Sequence, residues 1–448
     1  MDIGSRRTAV GWEVRRYGGR LLKLLRAVGH RLEVRGRHRE DTETPARAIR
    51  GRAGASSRAR RLLPLVLATM ASQALVVVLA PTIVEVGREF GVSVGVVGQA
   101  RSVLAGAAIA TSFGIAPFLD RLGVRPLLSW GAILAVAGSA GAALAPSLAI
   151  FLSVHALTGI GFACLLSAGF SGVAAFGGED RAWAMGYVVG ANALAWIVVN
   201  PLAGALTDTV SWRAAYTVPA AIGLCVLATV RATPSGHPTA TAGVGLRGVF
   251  GDPSARRWIL AEMISFFAWG TYLTFIGAYF IEVYEIGESA TGIVLALGAG
   301  AFFATSVRGA RLLARLPRPR VVAVAALVMG ALILLQFGTN ELLWIGLLTF
   351  FVCAAAGGVR SAVASTLGLA QLPGQPGSMM AARTAATQMG YLLGGLLGGA
   401  TLAFGGYAAL GIVLATGLAL CAALILRVTD PHAPDAVDHA AARAEGST

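Results

Sequence analysis

Apolar residues in this chain come in long unbroken runs, not in alternation and not as one stripe of a surface helix. Twelve runs of about twenty residues stand out. They span 62–84, 95–118, 126–145, 148–174, 183–207, 213–231, 257–281, 289–309, 321–338, 341–367, 382–404 and 406–427. A run of that length crosses roughly 30 Å of hydrocarbon. Inside hydrocarbon no water can satisfy the backbone, so the pattern predicts twelve membrane-spanning α-helices. Most charged residues fall in the short breaks between runs and at the two ends of the chain.

The breaks carry an orientation. With the N-terminus inside, the cytoplasmic loops hold Arg121, Arg125, Arg181, Arg231, Arg247, Arg256, Arg257, Arg311, Arg315, Arg318 and Arg320. The outer loops then hold only Arg88, Arg101 and Arg213. Positive charge is retained on the cytoplasmic side, so both termini are expected to be cytoplasmic. The Pro/Gly/Thr-rich segment 232–256 splits the spans six and six. The expected organisation is a basic extension (1–61), a six-helix bundle (62–231), the linker, a second bundle (257–427) and a polar tail (428–448). Met185-Gly186-Tyr187 in the fifth span and Met389-Gly390-Tyr391 in the eleventh echo one another, as do the ends of the sixth and twelfth spans. These matches predict a parallel duplication of a six-helix unit.

Composition agrees with lipid as the solvent. The 448 residues are 56% hydrophobic and 13% charged, against about 25% charged for soluble domains. The net charge of +14 at first suggests nucleic acid. However, residues 1–61 hold 17 of the basic and 6 of the acidic side chains, so most of the excess belongs to one tail. Within it, Leu21, Leu24, Leu25, Val28 and Leu32 recur at helical spacing among Arg and Lys. That stretch reads as an amphipathic anchor on an anionic leaflet, as a disordered basic extension, or as the product of an upstream start codon. Cys164, Cys225, Cys353 and Cys421 each lie in an apolar run and are expected to be free thiols. No metal site is expected.

The loop after the second span reads Ala116-Pro-Phe-Leu-Asp120-Arg121-Leu-Gly123-Val-Arg125. It resembles the G-x-x-x-D-R-x-G-R-[KR] signature of the major facilitator superfamily, with Asp120, Arg121 and Gly123 in register and the later basic position displaced to Arg125. The fourth span has His155-x-x-x-Gly159-x-Gly161, similar to the R-x-x-x-G-x-G of the family's drug:proton antiporters with His in place of Arg. The fifth has Asn200-Pro201-x-x-Gly204-Ala205, followed by Trp212-Arg213-x-x-Tyr216, resembling G-P-x-x-G-G and W-R-x-x-F. The resemblance covers residues 62–427. It implies a gating role for Asp120, Arg121, Gly123 and Arg125, and a helix bend at Asn200, Pro201 and Gly204.

The resemblance also implies that spans one, four, seven and ten line a central cavity. Each carries a polar group: Gln73, His155, Glu262 and Arg360. An ionisable side chain inside a span costs about 2.5–3.5 kcal/mol on insertion scales and generally faces protein or water. Glu262 and Arg360 are therefore candidates for an ion pair, with Glu262 exchanging a proton or the pair serving only as a structural bridge. Asn192 and Gln388 add uncharged polar groups. Trp269, with Tyr272, Phe266 and Phe267, is either a cavity wall or packing. The expected protein is a monomeric inner-membrane transporter with a small, amphipathic solute and no nucleic-acid partner. Its energy source is expected to be the proton gradient, with no cofactor. Export is favoured over uptake by the fifth-span motif. An integral-membrane enzyme is the alternative from another class, but no catalytic cluster or P-loop supports it.

Overall fold

The computed structural model describes residues 45–115, 123–233, 246–312, 316–338, 342–372 and 376–431. The amphipathic stretch 10–34, Asp120, Arg121 and the polar tail beyond residue 431 lie outside them. Among the described residues there is helix and no strand.

Within the described residues eleven helices are long and apolar enough to cross a membrane, and the last, Ala382–Ile425, is 44 residues long. That length is two spans. Gly406 interrupts it with φ 68° and ψ −170°, a left-handed conformation that glycine adopts without the Cβ penalty. The break falls between the runs ending at 404 and starting at 406, so the count is twelve. Ahead of it, Gly394–Gly398 forms one π-helical turn within the eleventh span.

The helices form two six-helix bundles. In the first, span three (Val124–Ala143) packs on spans four (Leu148–Ala175) and six (Trp212–Ala232), and span two (Val94–Ser112) packs on span four. The same pairings recur six spans later. Span nine (Arg318–Gly338) packs on spans ten (Leu343–Gln371) and twelve, and span eight (Glu288–Arg308) packs on span ten. Between bundles, span two meets span eleven and span eight meets span five (Trp183–Thr209), another pair related by the shift of six.

These cross-bundle contacts gather toward one end, here called the Glu89 end; the opposite one is the Arg125 end. They require small residues. A Cβ on Gly399 would lie 2.4 Å from the Gly95 carbonyl oxygen, and one on Gly204 would lie 2.3 Å from that of Glu288. Backbones approach this closely only where side chains are absent. The span-eleven glycines divide by face. Gly390, Gly394 and Gly398 abut Met263, Phe267 and Thr271 of span seven (Pro253–Glu282), whereas Gly395 and Gly399 abut Gly95, Gly98 and Ser102 of span two. Gln99 Nε2 donates to the Gly395 carbonyl at 2.9 Å and Ser102 Oγ to that of Leu392 at 2.9 Å. Toward the Arg125 end, Gly186 and Gly190 of span five face open space.

Large apolar side chains such as Trp130, Leu297, Val324, Leu348 and Phe404 are exposed on the outer flanks, where lipid replaces water. Cys225 is exposed as well, while the other three cysteines are buried; all four are free. The first tail residues after span twelve are held down. Thr429 N donates to Ser254 Oγ at 3.0 Å, Gln371 Nε2 donates to the Thr429 carbonyl at 2.9 Å, and Arg318 lies 3.7 Å from Asp430.

Candidate functional site

Span seven begins earlier than its apolar run. Asp252 accepts a 2.7 Å hydrogen bond from Ala255 N, and Pro253 occupies the first turn, the usual chemistry of a helix start. The helix therefore opens at Pro253, and Glu262 sits nine residues inside it, about 14 Å along the axis. It is fully buried. Span ten likewise continues to Gln371, placing Arg360 well inside the bundle with 2% of its surface exposed.

The two side chains meet. Arg360 Nη1 donates to Glu262 Oε1 at 2.6 Å. The other carboxylate oxygen, Oε2, accepts from Arg383 Nε at 2.7 Å. Arg383 was not among the residues singled out from the sequence, because the apolar run of span eleven starts at Ala382 and makes Arg383 read as an interfacial charge. The helix instead starts at Pro376, which carries Arg383 two turns into the bundle. Its Nη2 also donates to Ser361 Oγ at 3.3 Å. The guanidiniums of Arg360 and Arg383 each lie 5.4 Å from the centre of the Phe266 ring. Buried charges persist when paired and hydrogen-bonded, and here one carboxylate is saturated by two cations from neighbouring helices.

A third arginine departs from the position the sequence predicts. Arg101 lies in no outer loop; it is inside span two with 7% of its surface exposed. Its guanidinium stacks 4.2 Å above the ring of Tyr391. Tyr391 of span eleven is the shared neighbour of Arg101, Arg360 and Arg383. Beside Arg101 and Tyr391 is a cavity of about 20 Å³, lined also by Val76, Trp196, Gly270 and Thr274. It lies where spans one, two, five, seven and eleven converge, between the bundles.

The remaining candidates divide. Gln73 accepts from Trp196 Nε1 at 3.4 Å, one helix turn from the cavity. Asn192 Oδ1 is buried without a partner, and Gln388 is 8% exposed on the Arg383 helix. His155 is not in the cavity. It packs against Phe151 and Tyr216 inside the first bundle, its Nδ1 2.7 Å from the Phe151 carbonyl. Trp269 is likewise a packing residue, stacked on Phe302 at 5.9 Å. The segment Asn200, Pro201 and Gly204 does not interrupt its helix, which runs from Gly178 to Thr209. It serves as the contact with span eight, where a Cβ on Gly292 would sit 2.4 Å from the Asn200 carbonyl oxygen. Of the gating motif, Gly123 has φ 72°, and Arg125 Nη2 donates to the carbonyls of Arg231 and Thr233 at 2.9 and 3.2 Å. That ties the start of span three to the end of span six. At the Glu89 end, Trp212 and Arg213 both donate to the Glu89 carboxylate, and Arg213 also donates to the Ala143 and Ala145 carbonyls at 2.6 and 2.9 Å.

Comparison with known proteins assigns this architecture. The family profile of the Major Facilitator Superfamily matches residues 65–373, and the chain belongs to that family of membrane transporters, not to a family of enzymes. It is a multi-pass membrane protein, consistent with a place in the inner membrane. Among curated relatives it is 25% identical over 271 residues to the purine ribonucleoside efflux pump NepI of Escherichia coli, covering 58% of this chain and 66% of that one. It is 26% identical over 166 residues to the multidrug resistance protein MdtM of Salmonella typhimurium, covering 37% and 40%. The chain thus matches less than two thirds of the length of either relative. Two solved structures share the fold. They are a bacterial homologue of the human lysosomal transporter Spinster in an inward-facing, occupied conformation (TM-score 0.67, 16% identity, 83% of this chain and 98% of that one) and a D-xylose–proton symporter (TM-score 0.68, 14% identity, 83% and 98%).

Proposed function

We propose that the protein is a proton-coupled exporter of a small organic solute, working by alternating access as the bundles 62–231 and 257–427 rock about the cavity between them. The observation that carries this reading is the buried Glu262, held by Arg360 and Arg383 on two different helices. A proton arriving at Glu262 cancels its charge and releases Arg383, the more exposed of the two arginines at 20%. Loss of that proton draws the helices together again. The cluster therefore has two charge states that place span eleven differently relative to span seven, and span eleven is also the partner of span two across the bundle interface. Export is supported by the efflux pumps among the relatives.

In this reading the Arg125 end and both termini face the cytoplasm, following the distribution of arginines along the chain. The contacts gathered at the Glu89 end then close the outer face. The membrane lipid and the solute are the partners of a monomer, the proton gradient supplies the energy, and neither a cofactor nor nucleic acid takes part. Asp120 and Arg121 complete the cytoplasmic gate with Arg125.

The test is solute-driven proton movement in vesicles holding purified protein. Glu262→Gln keeps the shape and removes the charge, so it should uncouple solute flux from proton flux. Coupling equal to that of the parent protein removes Glu262 from the mechanism. Flux direction under an imposed gradient separates export from uptake.

A further inference from the structure

The charges around Tyr391 do not balance. Three guanidiniums, on Arg101, Arg360 and Arg383, face one carboxylate, Glu262. Glu262 is already bound through both oxygens. Among the described residues Arg101 forms no salt bridge, although it is more than nine-tenths buried and lines the cavity between the bundles. Its compensation is the face of Tyr391. A stack on an aromatic face offsets only part of the cost of taking a cation out of water. Beyond the hydrogen bond that Arg101 shares with Tyr391, its planar fork of N–H donors suits an oxyanion bound in two-point fashion.

We infer that the transported solute carries an anionic group, a carboxylate or an oxyanion of similar size, which docks on Arg101 beside Tyr391. This rests on the reading of the protein as a solute exporter and narrows it to organic anions. The cavity walls frame the rest of the solute: Val76, Leu79, Trp196 and Leu273 are apolar, and Thr274 adds one hydroxyl. In the conformation seen, about 20 Å³ holds roughly one or two waters. The anionic group displaces them, and the body of the solute enters as the bundles part. Arg383 is the second docking cation. When Glu262 takes a proton, Arg383 is freed toward the same ring, so proton and anion binding reinforce one another.

The experiment uses the purified full-length protein in neutral detergent. Thermal unfolding and equilibrium binding are followed with benzoate, naphthoate and naphthalenesulfonate, with naphthamide as the neutral isostere, naphthylmethylammonium as the cation, and phosphatidylglycerol as a lipid anion. At least one soluble anion should stabilise the protein, and naphthamide and the cation should not. Arg101→Gln should weaken that binding by about ten- to a hundredfold, and Arg101→Lys should recover part of it. Without ligand, Arg101→Gln should unfold at the parent temperature or above, because it removes an uncompensated charge. A lower unfolding temperature with unchanged anion affinity makes Arg101 a structural staple and overturns the proposal. So does stabilisation by the neutral or cationic probes alone, by phosphatidylglycerol alone, or by none of the panel. If anions bind through Arg101 and no proton-coupled flux occurs in vesicles, the exporter reading fails and this assignment stands. Proton-coupled flux of a neutral solute with no anion binding gives the reverse.

Discussion

Replacing Glu262 by Leu removes the carboxylate that two guanidiniums share. At 2.6 and 2.7 Å, each contact has a gross attraction of about 6 kcal/mol at an effective dielectric of about 20. Desolvation of the three groups opposes most of it, so the intact cluster adds little net stability. Removing one partner is different, because Arg360 stays behind with 2% of its surface exposed. Breaking a buried pair from one side costs about 3–5 kcal/mol. Arg360→Met should be milder, about 1–2 kcal/mol, because Glu262 keeps Arg383. The double variant Glu262→Leu/Arg360→Met leaves only Arg383, whose 20% exposure gives it a path to water. It should therefore lie close to the parent in stability. The expected coupling between the two sites is therefore about 4–7 kcal/mol, a factor of about a thousand to a hundred thousand in the unfolding equilibrium. Reversible unfolding in mixed micelles of dodecyl sulfate and neutral detergent measures all four corners of the cycle. If the two single effects add to within about 0.5 kcal/mol, Glu262 and Arg360 act independently and the cluster is not an energetic unit.

Three further outcomes test other parts of the structure. Gly399→Val places methyl groups against the Gly95 carbonyl, where even a Cβ would sit 2.4 Å away. It should disfavour the closed Glu89 end by about 1–3 kcal/mol, and a cysteine at Leu273 should then react faster with an impermeant maleimide from outside. Arg213→Ala removes the ion pair to Glu89, which keeps Trp212, and leaves the Ala143 and Ala145 carbonyls without this donor; it should lower the unfolding free energy by about 1–3 kcal/mol without altering coupling. A cysteine placed in the linker 232–256, in a background lacking Cys225, should be shielded from the impermeant reagent in intact cells and labelled after permeabilisation. Labelling in intact cells would invert the assigned orientation.

The sequence by itself determined the number of spans, their order and the six-plus-six division. It could do so because hydrocarbon imposes a minimum apolar length and forbids unpaired backbone, and both demands are written in composition. The break at Gly406 was legible for the same reason, as the boundary between the last two runs. The run limits were less informative about charge. Hydropathy marks where a run becomes polar, whereas a helix ends where its backbone is capped, and the Asp252–Pro253 cap and the Pro376 start lie outside the apolar runs. That offset hides how far inside their helices Arg383 and Glu262 lie. Arg101 reads as a loop charge in the sequence although it falls within the second run, since no single-chain pattern shows that Tyr391, 290 positions away, supplies its partner. Only the packed structure decided which faces turn inward. It put His155 and Trp269 into the bundle interiors, brought Glu262, Arg360 and Arg383 onto one carboxylate, and left Arg101 at the cavity with its charge unmet. Contacts between distant helices depend on rotation about each helix axis, and long, nearly uniform apolar runs leave that rotation undetermined until the helices pack.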